Sequence, residues 1–286
     1  MNIPIGWIIA MGCALGGYAL HGGHIGVLWQ PTEVLTIVGA ALGTMLASNT
    51  PTNLKATISA LGGAFKSAGA VKEFHLNLLC LMFEILQKIK RDGLMSLEAD
   101  IEEPHASPIF EKYPDVLADH HLVDFITDYL RMMLAGALDL IQIESLMEQE
   151  IEVHHLEGHI PVNAVTNVGD GLPAFGIVAA VMGVVHTMGS IGLPPAELGK
   201  LIGAALVGTF LGILLAYAFV APVAKVLEQK LNSSSRAFLA VKAILIASLN
   251  NFPPAAAIEF GRKVLFSDQR PSFAELDEGT KAVKGK

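Results

Sequence analysis

Charge is scarce in this sequence. Only 16% of its 286 residues are Asp, Glu, Lys or Arg, where a soluble domain carries about a quarter, so one water-soluble globule does not describe the chain. Positive charge is scarcer still. The 19 Lys and Arg stand against 27 Asp and Glu, a net charge of −8, which leaves no basic footprint for nucleic acid. Of the two cysteines, Cys13 falls in an apolar run and Cys80 in a charged region, which argues against a disulfide framework. No Lys or Arg precedes the first apolar run, so the N-terminus lacks the basic stretch of a secretory signal and is expected to remain as a first span. No lipidation motif is visible at either end. Phosphate-binding loops, nucleophile elbows and paired catalytic carboxylates are missing too. The groups His120-His121 and His154-His155-x-x-x-His159 have no cysteine beside them, and adjacent side chains point apart on a helix, so no metal site is expected. These absences together predict a protein that is not an enzyme and takes no cofactor.

What is present is apolar, 52% of the residues. A spanning helix needs about 20 mainly apolar residues. Four segments reach or approach that length: Ile3–Leu20, Val34–Ser48, Leu172–Ile191 and Leu201–Val223. The second is long enough once Pro31–Glu33 and Asn49–Thr50 sit at the interfaces. The fold class expected is therefore all-α, an integral membrane protein with four transmembrane helices in two hairpins and a large cytoplasmic helical domain. Its parts are a first hairpin (1–50), a cytoplasmic insertion (51–171), a second hairpin (172–223) and a cytoplasmic tail (224–286).

Orientation follows from the distribution of Lys and Arg. The short loops His21–Gln30 and Gly192–Gly199 have none, whereas Pro51–Gly171 holds eight and the chain from Lys225 onward holds ten. Both large polar regions, and with them both termini, are expected in the cytoplasm. The insertion also carries 19 of the 27 acids. Within it, Val71–Ile89 repeats apolar residues at helical period. Leu122–Leu156 does the same, with Ala137 on its stripe and Gly136 as a weak point inside one helix. The stretch between them, Arg91–His121, is punctuated by Gly93, Pro104, Pro108 and Pro114 and reads as turns. In the tail, Ala237–Leu249 and a short helix to about Leu265 flank Phe252-Pro253-Pro254.

The third and fourth spans contain no Asp, Glu, Lys or Arg, although ionisable groups inside membranes usually mark ion paths. Their polar candidates are His186 and the hydroxyls of Thr187, Ser190, Thr209 and Tyr217. Thr209 lies mid-span, where its hydroxyl either bonds the carbonyl four residues back or lines an ion path. Glycine pairs four apart (Gly12/Gly16, Gly39/Gly43, Gly199/Gly203, Gly208/Gly212) let backbones approach closely and predict a tightly packed oligomer. Pro173 is expected to open the third span, and Pro222 to kink or end the fourth. The two act either as plain punctuation or as a paired hinge.

Two long segments carry a resemblance. Residues 168–186, VGDGLPAFGIVAAVMGVVH, and 207–217, VGTFLGILLAY, are similar to the third and fourth spans of MotA flagellar stators, a branch of the MotA/TolQ/ExbB proton channel family. Glu259-Phe260-Gly261-Arg262-Lys263 and Arg270-Pro271-Ser272-Phe273 resemble that family as well. The resemblance implies a homopentamer in the bacterial inner membrane around a dimer of a single-span MotB-type subunit, which supplies the protonatable Asp. It implies a cytoplasmic bundle acting on the rotor protein FliG through Arg91, with Lys90 beside it, and Glu98, with Glu150 as a further acid. Pro173 and Pro222 match the family's coupling prolines, and Thr209 matches a pore-facing hydroxyl, which puts Thr209, Ala180 and Tyr217 on the ion path. Sodium-driven relatives place a threonine where this chain has Ala180. An alanine offers no side-chain oxygen, so protons are the expected ion. The alternative is an ExbB- or TolQ-like energy-transducing channel subunit, which has three spans, and a third reading is a membrane scaffold without ion flux.

Overall fold

The computed structural model describes residues 2–65, 71–136 and 139–284. Every regular element among them is helical. In chain order these are α1 (Asn2–Leu20), α2 (Pro31–Ser48), α3 (Pro51–Ala64), α4 (Val71–Asp92), α5 (Glu98–Glu102), α6 (Pro114–Leu117), α7 (His120–Ala135), α8 (Leu140–Met188), α9 (Pro195–Leu214), α10 (Ala221–Leu249), α11 (Pro254–Val264) and α12 (Phe273–Lys284), with short 3₁₀ turns between some of them and a π-helical segment at Leu215–Val220. Helices covering Ile3–Leu20, Ile25–Ser48, Leu140–Met188 and Pro195–Leu249 contain stretches long and apolar enough to cross a membrane. This is the all-α, four-span protein that the apolar runs predict.

The chain divides into two units, Met1–Ser67 with Gly158–Lys230, and Ala68–Glu157 with Leu231–Lys286. The first holds the membrane helices. Its buried cluster is small (Ile37, Ala41, Leu172, Ala179 and Ala216). Many of its large apolar side chains point outward, Ile8 at 72% exposure and Leu35 at 74% among them. In lipid such a surface costs nothing, because the acyl chains are as apolar as the side chains. The third and fourth spans touch through their glycines. A β-carbon on Gly212 would lie 2.7 Å from the Leu172 carbonyl, and one on Gly176 would lie 2.9 Å from that of Gly208. Around Gly12, Gly16, Gly39, Gly43, Gly199 and Gly203 there is nothing within 4 Å. Of the four spaced pairs, only Gly208/Gly212 is thus used inside the chain.

The second unit has the core of a soluble domain. Phe83, Phe110, Phe125 and Tyr129 are fully buried amid leucines and isoleucines of α4, α7 and α10. Phe125 lies 4.7 Å from Tyr129 and 5.3 Å from Phe238, ring centre to ring centre. Gly93 turns the chain after α4 with φ +86°, a backbone region open to glycine at little cost. The corner is then clamped. Lys88 pairs with the buried Asp100 at 2.6 Å, and Ser107 donates to the other Asp100 oxygen at 2.6 Å. Within α11, the Arg262 guanidinium pairs with Glu259 and donates to the Pro271 carbonyl.

Two local expectations need correction, and of the two alternatives at Pro222, a kink or an end, the end is not realised. Leu122–Leu156 is not one helix. α7 stops at Ala135 because Gly136 takes the left-handed conformation, φ +60°, the common way for a glycine to end a helix; Ala137 lies outside the described residues. Pro173 does not open a helix but sits inside α8, as does Pro161. Lacking an N–H, Pro173 gives the Gly169 carbonyl no partner in the helical ladder. Pro222 does not end the fourth span. The helix widens to a π turn over Leu215–Val220 and continues as α10, an arrangement that admits the proline ring without breaking the rod. Trp7 of α1 braces this turn, its indole N–H donating to the Phe219 carbonyl at 3.3 Å.

Candidate functional site

Two sets of residues were expected to act, one in the membrane helices and one on the second unit. In the first, Ala180 and Thr209 are half-buried and Tyr217 is exposed. The back-bond that would occupy Thr209 is absent. Among the described residues its hydroxyl has no hydrogen-bond partner, while Thr187 donates to the Gly183 carbonyl at 2.9 Å and Ser190 to that of His186. Tyr217 stands in the π turn and lines a cavity of about 160 Å³ together with Thr166, Asp170, Lys225 and Glu228. Lys225 pairs with Glu228 there at 2.7 Å.

The stretches that precede the two prolines meet in space. Gly169, whose carbonyl Pro173 leaves unbonded, packs against Val220. A β-carbon on Gly169 would meet the Val220 Cγ1 at 3.3 Å, and Val220 ends the π turn that precedes Pro222. The weakened stretch of each helix lies against the other.

One membrane residue escaped the sequence reading. Glu33 falls in the first turn of α2 and was placed at the interface. The side chain is half-buried, and its Oε2 is buried without a hydrogen-bond partner among the described residues, against Gly208 of the fourth span. A β-carbon on Gly208 would lie 2.8 Å from that oxygen and 3.2 Å from the Ala180 nitrogen. The available signal was that Glu33 is the only Asp, Glu, Lys or Arg in residues 1–50.

On the second unit, Lys90, Arg91 and Glu98 are all exposed and flank the Gly93 corner. Arg91 forms a two-pronged pair with its neighbour Asp92, which raises its already high pKa. Lys90 and Arg91 line a groove of about 810 Å³ with Lys88, Lys112, Pro253 and Pro254; Lys112 pairs with Glu84. Glu150 is different. It accepts a 2.7 Å hydrogen bond from the buried Tyr129 hydroxyl, and burial, then that bond, push the phenol well above its ordinary range. Glu150 is thereby tied to the core as well as exposed. Among the described residues no group of His, Cys, Asp and Glu is placed to hold a metal. The histidines pack on rings: His154 sits 4.3 Å from the Phe238 ring and 5.9 Å from that of His121.

Comparison with known proteins agrees with this fold. Residues 4–93 match the family described as motility protein A N-terminal, and residues 118–239 match the MotA/TolQ/ExbB proton channel family. The motility protein A of Escherichia coli (strain K12) is 48% identical over 284 residues, 99% of this chain and 96% of that protein. Among solved structures, that of C. jejuni MotAB aligns with a TM-score of 0.76 at 20% identity, covering 95% of this chain and 99% of that one. The flagellar MotAB stator complex from Bacillus subtilis aligns with a TM-score of 0.70 at 23% identity, covering 89% and 92%. The structural matches carry the fold, and the near full-length identity carries the assignment. With four apolar spans, glycine contact between the last two, and a match running from one end of the sequence to the other, the chain belongs to the motility protein A family.

Proposed function

We propose that this chain is the stator subunit of a bacterial flagellar motor, forming with a MotB-type partner a proton channel that couples the proton-motive force to torque. The observation that carries the reading is the 48% identity to a motility protein A along 99% of the chain. The N-terminal match over residues 4–93 is specific to motility protein A, which favours a motor over the ExbB- or TolQ-like alternative.

In this reading the protein resides in the bacterial inner membrane. The loops free of Lys and Arg face outward, and residues 51–171, the tail and both termini lie in the cytoplasm. Five copies form a ring around the partner dimer. The glycine faces with nothing against them, at Gly12/Gly16, Gly39/Gly43 and Gly199/Gly203, supply ready contact surfaces for that assembly. The third and fourth spans bring no charged residue, so the partner's single-span Asp provides the principal titrating group. Protons pass along Ala180, the unbonded Thr209 hydroxyl and the Tyr217 cavity. The contact between Gly169 and Val220 makes Pro173 and Pro222 a joint hinge, through which protonation bends both spans together. Moving one charge through 100 mV is worth about 2.3 kcal/mol, so each stroke draws on one or a few protons. Torque passes to the rotor protein FliG through Glu98, Arg91 and Lys90, exposed charges at a corner that steer and register the contact, with Glu150 as a further acid.

Deleting the gene is expected to abolish swimming while filaments still assemble. Persistence of swimming with failed iron-complex uptake would transfer the assignment to the ExbB class. Co-expression with the partner should acidify the cytoplasm; no acidification with an unplugged partner would leave only a scaffold. Glu98→Lys should reduce torque at normal stator levels, and unchanged swimming would remove Glu98 from the rotor surface.

A further inference from the structure

We propose that Glu33 is a proton-binding carboxyl of the ring itself, receiving protons from the outer side and handing them inward along the face of Gly208, Thr209 and Ala180. The inference rests on the proton-channel reading above and adds to it a second titrating group, supplied by this chain.

The starting point is an anomaly. A carboxyl oxygen buried without a donor is costly, and in native proteins each such group needs a physical reason. Glu33 Oε2 is in that condition within a helix apolar enough to span a membrane. An acid in the first turn of a helix has an ordinary explanation, since it complements the N-terminal dipole and can bond back to the capping residue. For Glu33 the bonded form of that arrangement is missing. The residue before α2, Gln30, makes no side-chain cap, and Oε2 bonds to nothing. The carboxyl is directed into the fourth span instead.

The fourth span is shaped to receive it. Gly208 is the residue whose missing side chain makes the space, since a β-carbon there would collide with Oε2 at 2.8 Å while also lying 3.2 Å from both the Ala179 Cβ and the Ala180 nitrogen. One glycine thus admits both the third span and the carboxyl. The next residue is Thr209, whose hydroxyl is likewise without a partner among the described residues. The carboxyl that packs on Gly208 and the hydroxyl of the next residue are thus two unsatisfied polar groups at nearly the same level of an otherwise apolar span. Intramembrane ionisable residues of this kind recur in proton relays.

The step is a simple transfer. A hydronium ion on the outer side gives a proton to the Glu33 carboxylate: one of its O–H bonds breaks, leaving water, as the carboxyl O–H bond forms. The same proton then leaves to the carboxylate of the partner subunit, directly or through ordered water, and Glu33 returns to the anion. No other bond changes.

The test uses the complete complex of chain and partner, unplugged and reconstituted in vesicles under an inward proton gradient. Glu33→Gln keeps the shape and removes titration, so flux should fall by about a hundredfold, the scale on which losing a positioned proton-transfer group is felt. Glu33→Asp should restore most of it. Gln conducting like the parent overturns the proposal, and so does equal loss in Gln and Asp when both assemble, since that marks a steric role. A second measurement does not depend on flux. Dicyclohexylcarbodiimide adds to protonated carboxyls in apolar sites, and peptide mass spectrometry of the treated complex should find the acylurea on Glu33. Its absence there under conditions that label the partner's Asp also overturns the proposal. Failure of the parent complex to conduct would instead strike at the channel reading, leaving the labelling result to decide on Glu33 by itself.

Discussion

The two units solve the packing problem with opposite side chains. In the second, large residues fill the interior, and Phe83, Tyr129 and their neighbours lose nearly all contact with solvent. In the first, the closest approaches are made by residues that have almost no side chain, Gly176 and Gly212 above all, while isoleucine and leucine face outward. The difference follows from the solvent. Water drives large apolar groups together, at about 25 cal/mol per Å², but lipid gives no such reward, so membrane helices gain from close van der Waals contact between backbones. Apolar residues in the two units therefore carry different information: inward in one, outward or toward a neighbouring subunit in the other.

The largest effect that would test this contrast is expected at Gly212. A leucine there meets the Leu172 carbonyl and the Gly176 Cα, backbone atoms that cannot step aside, so the paired spans should fail to close and the protein should disappear from membrane immunoblots. Gly12→Leu should leave membrane levels intact, because among the described residues nothing comes within 4 Å of a β-carbon there, and should weaken only the oligomer on native gels. Next comes Phe83→Ala, which should cost about 3–5 kcal/mol as buried aromatic truncations do, seen as a lowered thermal midpoint of the second unit in detergent.

A smaller effect depends on pH. Burial, with help from the neighbouring His121, holds the His154 imidazole below its ordinary value of 6.5. The unfolded chain then binds the proton more readily than the folded one. Stability due to this group is complete above 6.5 and is lost as pH falls through the lower folded value. Thermal midpoints measured from pH 7.5 to 5 should decline, and His154→Gln should flatten that decline; an unchanged slope would clear His154. Smallest of all is the exposed pair Lys72–Glu275 at 2.7 Å. Although Lys72 and the Ser272 cap draw the Glu275 carboxyl down to about 2, Lys72→Ala should not measurably move the midpoint, since solvent screens exposed pairs.

Legibility in the sequence divides along the same line. The spans were readable because about 20 apolar residues have few other uses, and α4 was readable because a periodic stripe must face a core. Single residues whose meaning depends on a distant contact were not. Gly136 reads as tolerable in a helix interior until the backbone is seen to turn left-handed there. Pro173 reads as a helix start, yet α8 begins at Leu140 and runs on through the proline. Glu33 reads as an interfacial acid because its neighbour, Gly208, is 175 residues away. Of the expected site, the exposure of Lys90, Arg91 and Glu98 could be anticipated from the turn signals around Gly93; the bond from Tyr129 to Glu150 could not.

The π turn at Leu215–Val220 changes the phase of its helix. Each inserted residue turns everything downstream by about 100°. A wheel diagram that runs from Pro195 through Lys230 at constant period therefore assigns Ala224, Lys225 and Glu228 to the wrong flank. The converse is a design opportunity. Removing one residue between 215 and 220 would swing the Lys225–Glu228 pair away from Tyr217 without touching the composition of the span, separating the cavity's chemistry from the hydrophobicity of the helix that carries it.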